Sequence, residues 1–103
     1  MNVFVLEYSH KHGNDVMVFE TEEDAFIGAC DIILEWTNSE EEGYPAILRQ
    51  IQEGNFKRAV SLWLDMETGE NIFIEERTVI RCDDSRKTVH AAMALLDEMK
   101  QEE

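Results

Sequence analysis

Alternation of apolar and polar residues near the start of the sequence predicts a β-hairpin. Residues 3–8 and 15–19 are rich in β-branched and aromatic side chains, which favour extended backbone. The segment between them, 9–14, is polar and contains Gly13, a residue suited to positive φ in a turn. The two apolar runs are therefore predicted to pair as antiparallel strands.

A helical period follows Thr21. Thr21 suits the N-cap position, and the acidic residues directly after it would face the positive end of the helix dipole. Further along, one narrow stripe recurs at the spacing i, i+4, i+7 and i+11: Asp24, Gly28, Asp31 and Glu35. Most of the remaining positions up to Trp36 are apolar, so this helix is predicted to pack on more than one side.

The middle of the chain predicts a loop and a short helix. Residues 38–44 show no period and end at Pro45, whose fixed φ suits the first turn of a helix. Residues 46–51 are amphipathic at helical spacing, and Gly54 lies where a left-handed residue commonly ends a helix.

Residues 56–64 fit two patterns. Apolar side chains recur at the helical spacing i, i+3, i+4 and i+7 from Phe56, yet positions 60, 62 and 64 also alternate as in a strand. We favour the helix. If 57–66 were a strand instead, it would pair with the next strand through a turn at Thr68 and Gly69.

The last third predicts a strand and an amphipathic helix. Residues 71–81 are rich in Ile, Val and Phe, and Ser85 is a candidate N-cap for the helix that follows. That helix carries one apolar stripe, which is predicted to pack on the sheet: Val89, Ala92, Met93, Leu96 and Met99.

These elements predict an α+β fold in the order ββαααβα. A small antiparallel sheet of three strands, or four if 57–66 is a strand, would be covered by helices in two layers. The length of 103 residues suits one domain spanning 1–103 with a single core.

Charge is distributed very unevenly along this chain. The formal net charge is −14, and residues 12–48, which hold ten Asp or Glu and no Lys or Arg, supply −10 of it. Like charges would meet on nucleic acid or an anionic membrane, so neither is expected as a direct partner. A basic protein surface is the predicted partner, unless the acid serves only solubility.

The predicted partner-binding residues combine this acid with two aromatic side chains. Trp36 precedes the acidic loop and Tyr44 follows it, and aromatic residues beside carboxylates are typical of contacts with basic partners. The alternative is that Trp36 belongs to the core and Tyr44 packs on Pro45. The full predicted set is Glu22, Glu23, Asp24, Asp31, Glu35, Trp36, Glu40, Glu41, Glu42 and Tyr44.

Three residues in and beside the hairpin turn are candidate metal ligands. His10 and His12 would point to one side of an extended backbone, and Asp15 would approach across the turn. A fourth ligand is missing from the pattern, so we favour a solvated turn and expect no metal and no other cofactor. A contact with a nucleotide or another anion, through Lys11 and the backbone of Gly13, is the remaining alternative. His90 has no nucleophile or carboxylate at a catalytic spacing, and the chain is not expected to be an enzyme.

The two cysteines predict a reducing compartment. Cys30 and Cys82 match no disulfide framework and no zinc spacing, so both are expected to be reduced and buried. The apolar run 3–6 is too short for a signal peptide or a membrane span. The expected location is the cytosol.

Twelve residues near the start of the chain carry a resemblance: Tyr8, His10, Lys11, His12, Gly13, Asp15, Val18, Phe19, Thr21, Glu22, Glu23 and Ala25. With them, this stretch resembles the N-terminal third of small acidic uncharacterised proteins of bacteria and their phages. It implies no activity, but it favours a mobile-element protein that acts on another macromolecule. The first hypothesis is thus an inhibitor that occupies a basic, nucleic-acid-binding site, and the alternative is a self-associating adaptor domain.

Overall fold

The computed structural model describes residues 1–80 and 83–101. Its elements are β1 (Asn2–His10), β2 (Gly13–Phe19), α1 (Glu22–Trp36), α2 (Tyr44–Gln52), α3 (Phe56–Asp65), β3 (Asn71–Thr78) and α4 (Asp83–Gln101). This order confirms the predicted ββαααβα arrangement and the α+β class. The antiparallel sheet has three strands in the order β2-β1-β3.

The hairpin is longer than its apolar runs alone indicated. Pairing continues through the polar segment as far as His10 and Gly13, so that the turn contains only Lys11 and His12. Gly13 has a φ of +131°, which is the conformation that favours glycine.

Local capping signals explain how α1 begins and how α2 ends. The backbone N–H of Asp24 donates to Thr21 Oγ1 at 3.1 Å, which confirms Thr21 as the N-cap of α1. After α2 the N–H of Asn55 donates to the carbonyl of Gln50, and the N–H of Gly54 donates to that of Ile51. With a φ of +80° at Gly54, these bonds form a Schellman motif.

The core lies between the sheet and the first three helices. Leu6 on β1, Ile33 on α1 and Ile47 on α2 are its largest fully buried side chains. Helix α1 packs on the sheet and also on α3, as its wide apolar arc predicted. The contact with β2 is close, because a Cβ at Gly28 would lie 2.4 Å from the ring of Phe19.

Residues 56–65 form a helix, and the side chains at helical spacing decide it. Ala59, Val60 and Trp63 are buried in the core, whereas Leu64 is exposed. The strand alternative would have buried Leu64 together with Val60. The sheet therefore stops at three strands.

Strand β3 and helix α4 differ from their predictions. Pairing of β3 ends with the bond from Val79 N–H to the carbonyl of Met1, because β1 offers no further partner. Helix α4 begins at Asp83, so Ser85 lies inside it and is not its cap. Arg81, the predicted end of the strand, and Cys82 lie outside the described residues.

The predicted packing of α4 on the sheet is wrong. Every side chain from 85 to 99 is exposed, and the molecule is elongated, with extents of 73 × 29 × 17 Å. A helical period fixes which side of a helix is apolar but does not specify what covers it. Across the described ranges, no helix is both long and apolar enough to cross a membrane.

Candidate protein-binding surface

The five predicted acidic side chains of α1 are all exposed. They are Glu22, Glu23, Asp24, Asp31 and Glu35. The first three also lie in the first turn, where their charge stabilises the helix dipole, so they have a structural role in any case. Asp31 and Glu35 have no such role and extend the negative charge toward Trp36.

At the N-terminal end of α1 the acid meets the protein's own bases. Glu22 and Glu23 line an open groove of about 640 Å³ together with Lys57 and Arg58 of α3. The Lys57 ammonium lies 5.8 Å from the ring centroid of Phe26 in the same groove. Negative potential is therefore partly neutralised at this end.

The opposite end of α1 carries an exposed tryptophan. The side chain of Trp36 is 68% exposed, which excludes the alternative that it belongs to the core. It stands between two hollows of about 180 and 280 Å³, both of which are also lined by Tyr8 and Glu70. We call these two hollows together with Trp36 the Trp36 notch.

Turn geometry holds the acidic loop against this notch. Asn38 Oδ1 accepts from the N–H of Glu40 at 2.9 Å, and the N–H of Glu41 donates to the Asn38 carbonyl at 3.0 Å. Glu40, Glu41 and Glu42 are all exposed, and Glu41 lines the smaller hollow. The loop is thus a fixed turn that presents three carboxylates.

The ten predicted residues do not form one continuous site. Trp36 and Glu41 meet at the notch, but Glu22 lies about 21 Å away at the other end of the 15-residue α1. Tyr44 begins α2 and is only half-exposed, so less of its ring is available to a partner.

Most residues of the notch were not predicted as part of this surface, and four of them form two side-chain contacts there. The buried Tyr8 donates its hydroxyl hydrogen to Glu70, and His10 Nε2 lies 3.0 Å from Asp15 Oδ2. Burial raises the pKa of Tyr8, and Glu70 raises it further through the hydrogen bond and its charge. Since Tyr8 and Glu70 are 62 positions apart, no local pattern signals their contact.

Hydrogen bonding also fixes the state of His10. Its Nδ1 accepts from the backbone N–H of His12 at 3.2 Å, so Nδ1 carries no hydrogen in this arrangement. The hydrogen of the neutral ring is then on Nε2 and is donated to Asp15. Both ring nitrogens are engaged within the turn, and no group of three His, Cys, Asp or Glu in the described ranges is placed to hold a metal ion.

Divalent metals are therefore expected to leave the thermal stability of this turn unchanged. Added Zn²⁺, Mn²⁺ or Ni²⁺ should shift the melting temperature of the parent and of His10→Ala/His12→Ala equally. A specific site would instead add about 2.7 kcal/mol at a hundredfold excess over its dissociation constant. A rise in melting temperature seen only in the parent, and lost as the pH falls through about 6.5, would establish a histidine site.

No family model, curated protein or solved structure matches this chain.

Cys30 does not add a reactive group to the surface. It is buried on α1, and its Sγ lies 3.6 Å from the carbonyl oxygen of Phe56. Burial raises the pKa of the thiol to about 11, so the thiolate is scarce at neutral pH. The expectation of a buried thiol is confirmed for Cys30.

Proposed function

We propose that this chain is a non-enzymatic binding protein whose acidic surface occupies a basic, nucleic-acid-binding site on another protein, as an inhibitor from a phage or another mobile element would. The observation that supports this most directly is Trp36, a tryptophan left exposed beside three consecutive glutamates. The buried reduced thiol of Cys30 suits a protein of the cytosol.

The notch combines two features that protein interfaces use. Tryptophan is enriched among the residues that contribute most to binding, and it does so where a partner excludes water from it. The two hollows beside Trp36 offer space for side chains of a partner, and Tyr8 provides a buried aromatic floor. The carboxylates of Glu40, Glu41 and Glu42 would accelerate the approach of a basic partner.

Competition with nucleic acid follows from charge density. Duplex DNA carries one phosphate charge per ~1.7 Å of helix axis, and a protein that binds it must offer Lys and Arg side chains at a matching density. Asp31, Glu35 and the three loop glutamates place five carboxylates around the C-terminal end of α1. A groove made for phosphates would accept these carboxylates in their place.

Reversal of the three loop charges should weaken association strongly. A partner captured from the host on the parent protein is expected to bind Glu40→Lys/Glu41→Lys/Glu42→Lys at least about tenfold more slowly, and the parent's association rate should fall steeply with salt. Stopped-flow or surface-based kinetics measures both effects.

A matched control separates local charge from total charge. Glu20→Lys/Glu53→Lys/Glu76→Lys makes the same change in net charge at exposed positions outside the notch. This control should bind nearly as fast as the parent. A partner whose binding is indifferent to salt, to the loop reversal and to Trp36→Ala would show that this surface does not recognise it.

The alternative function is a self-associating adaptor whose interface is α1. Ile27 and Leu34 favour it, because both are exposed on one side of the helix and lie seven residues apart. However, Glu23 and Asp31 flank this pair on the same side, so a symmetric α1 interface would bring like charges together. For that reason the binding of a basic partner is the better-supported function.

A further inference from the structure

Within the described residues, the sheet is covered on one face only. On β1 the side chains of Leu6 and Tyr8 point into the core, so Val5 and Glu7 point to the opposite face. Register places Val18 beside Val5, and both Val16 and Phe73 beside Glu7. The uncovered apolar side chains, called the outer sheet face, are Val3, Val5, Val16, Val18 and Phe73.

Helix α4 has an apolar side that is equally uncovered. Five large side chains lie within less than half of its circumference and are each 53–59% exposed: Val89, Met93, Leu95, Leu96 and Met99. We call these five residues the α4 stripe. On the outer sheet face, Val16 and Val18 are 61% and Phe73 is 54% exposed.

We propose that a second copy of this chain covers both surfaces, with the α4 stripe of each copy packed on the outer sheet face of the other. Burial of an apolar sheet face or helix stripe against another apolar layer stabilises the protein. Each chain carries one surface of each kind, so a twofold arrangement satisfies all four at once. The resulting dimer has helices on both faces of each sheet.

Buried area favours this arrangement, in which each chain places its α4 on the sheet of the other and which we call the exchange, over a simple pair of α4 helices. Complete burial of one such side chain removes roughly 60–120 Å² of apolar surface from water. Each of these side chains is a little more than half exposed. The ten side chains of an α4–α4 pair would therefore bury roughly 300–700 Å². The exchange adds Val16, Val18 and Phe73 of each chain, and its sixteen side chains would bury roughly 550–1,100 Å². Specific interfaces bury about 1,000 Å² or more in total, a value that the upper end of the range for the exchange reaches and the range for the α4–α4 pair does not.

Charge permits this contact despite the net charge of −14. Around the outer sheet face, Arg77 bonds Glu75 at 2.7 Å, which leaves Glu7 as the other acid on that face. Between 85 and 99, helix α4 carries two bases, Arg86 and Lys87, against two acids, Asp97 and Glu98. The two surfaces are therefore close to neutral together, while the acid of α1 lies on the covered side of the sheet.

Mass in solution tests the exchange. Light scattering or sedimentation at about 10–100 μM should find a dimer, twice the chain mass of 12.0 kDa. Leu96→Asp and Val18→Asp should each raise the dimer dissociation constant at least about 100-fold, since each buries an unpaired charge. Ala94→Asp, on the opposite side of α4, is the matched control and should remain dimeric.

Cross-linking identifies which surfaces meet and does not depend on the charged variants. In a Cys82→Ser background, mixed Val18→Cys and Leu96→Cys chains should form a disulfide between the two chains under mild oxidation. Circular dichroism confirms that each variant is folded.

If something other than the exchange covers the outer sheet face and the α4 stripe, these experiments give different results. Each of those results overturns the proposal. A monomer at every concentration removes it, and an intramolecular disulfide in a Val18→Cys/Leu96→Cys chain that stays monomeric assigns α4 to its own sheet. A dimer that tolerates Val18→Asp but not Leu96→Asp is an α4–α4 pair. A dimer broken by Ile27→Asp and not by Leu96→Asp has α1 as its interface.

Discussion

Replacing Trp63 by Ala is expected to lower the free energy of unfolding by about 3–5 kcal/mol, whereas Trp36→Ala should change it by less than about 0.5 kcal/mol. The two tryptophans differ in burial, with Trp63 only 3% exposed and Trp36 68% exposed. Truncation of Trp63 removes apolar contacts and leaves a cavity between α3 and its neighbours, while truncation of Trp36 removes contacts mainly with water.

Urea unfolding followed by circular dichroism measures both changes. Because a domain of this size has a total stability of only about 5–15 kcal/mol, Trp63→Ala is at risk of unfolding altogether. Trp63→Phe, with a smaller loss of volume, then shows the same direction of change. A loss of more than about 1.5 kcal/mol in Trp36→Ala would mean that Trp36 is a core residue after all.

Stability is also expected to fall as the pH rises above about 9, through Cys30 and Tyr8 together. Burial raises the pKa of Cys30 from 9.0 to about 11 and raises that of Tyr8 above its ordinary 10.0. The unfolded chain therefore loses each proton at a lower pH than the folded chain does. Both contributions are complete below pH 9 and are lost progressively above it.

The expected size follows from the shift of Cys30. Each unit of pKa difference corresponds to about 1.36 kcal/mol, so Cys30 alone accounts for a loss of roughly 2 kcal/mol by pH 11, and Tyr8 adds its share above pH 10. Urea titrations at pH 8, 9, 10 and 10.5 follow the loss. Cys30→Ala and Tyr8→Phe should each give a shallower decline than the parent. Equal slopes in all three proteins would show that neither group titrates as described.

Signals contained in a few neighbouring residues were sufficient to predict most of the elements. Thr21 could be predicted as an N-cap because its hydroxyl accepts from the N–H only three residues further on. Gly54 could be predicted as the end of α2 because the hydrogen bonds of its C-terminal motif span no more than five residues. The choice of helix for 56–64 followed from Trp63, which shares its side of the helix with Ala59 and Val60.

Features that depend on residues far apart in sequence could not be predicted from local sequence patterns. The stripe of α4 was visible in the sequence, but its supposed contact with the sheet was inferred from apolar character alone and was wrong. Trp36 follows the buried Ile32 and Ile33 at helical spacing, as a core residue would, yet it is exposed because α1 extends past the edge of the core. The bond from Tyr8 to Glu70 depends on the register of β3, which no local rule supplies.

The position of β1 at the centre of the sheet has a consequence for folding. Its partner β2 follows after two residues, whereas Tyr8 and its partner Ile72 are separated along the chain by β2 and three helices. Loop closure of that length costs little in final stability but slows the search for native pairing. Until β3 arrives, one edge of β1 offers free backbone groups to strands of other chains. The period between completion of the hairpin and docking of β3 is therefore the stage at which nascent or refolding chains are most exposed to aggregation.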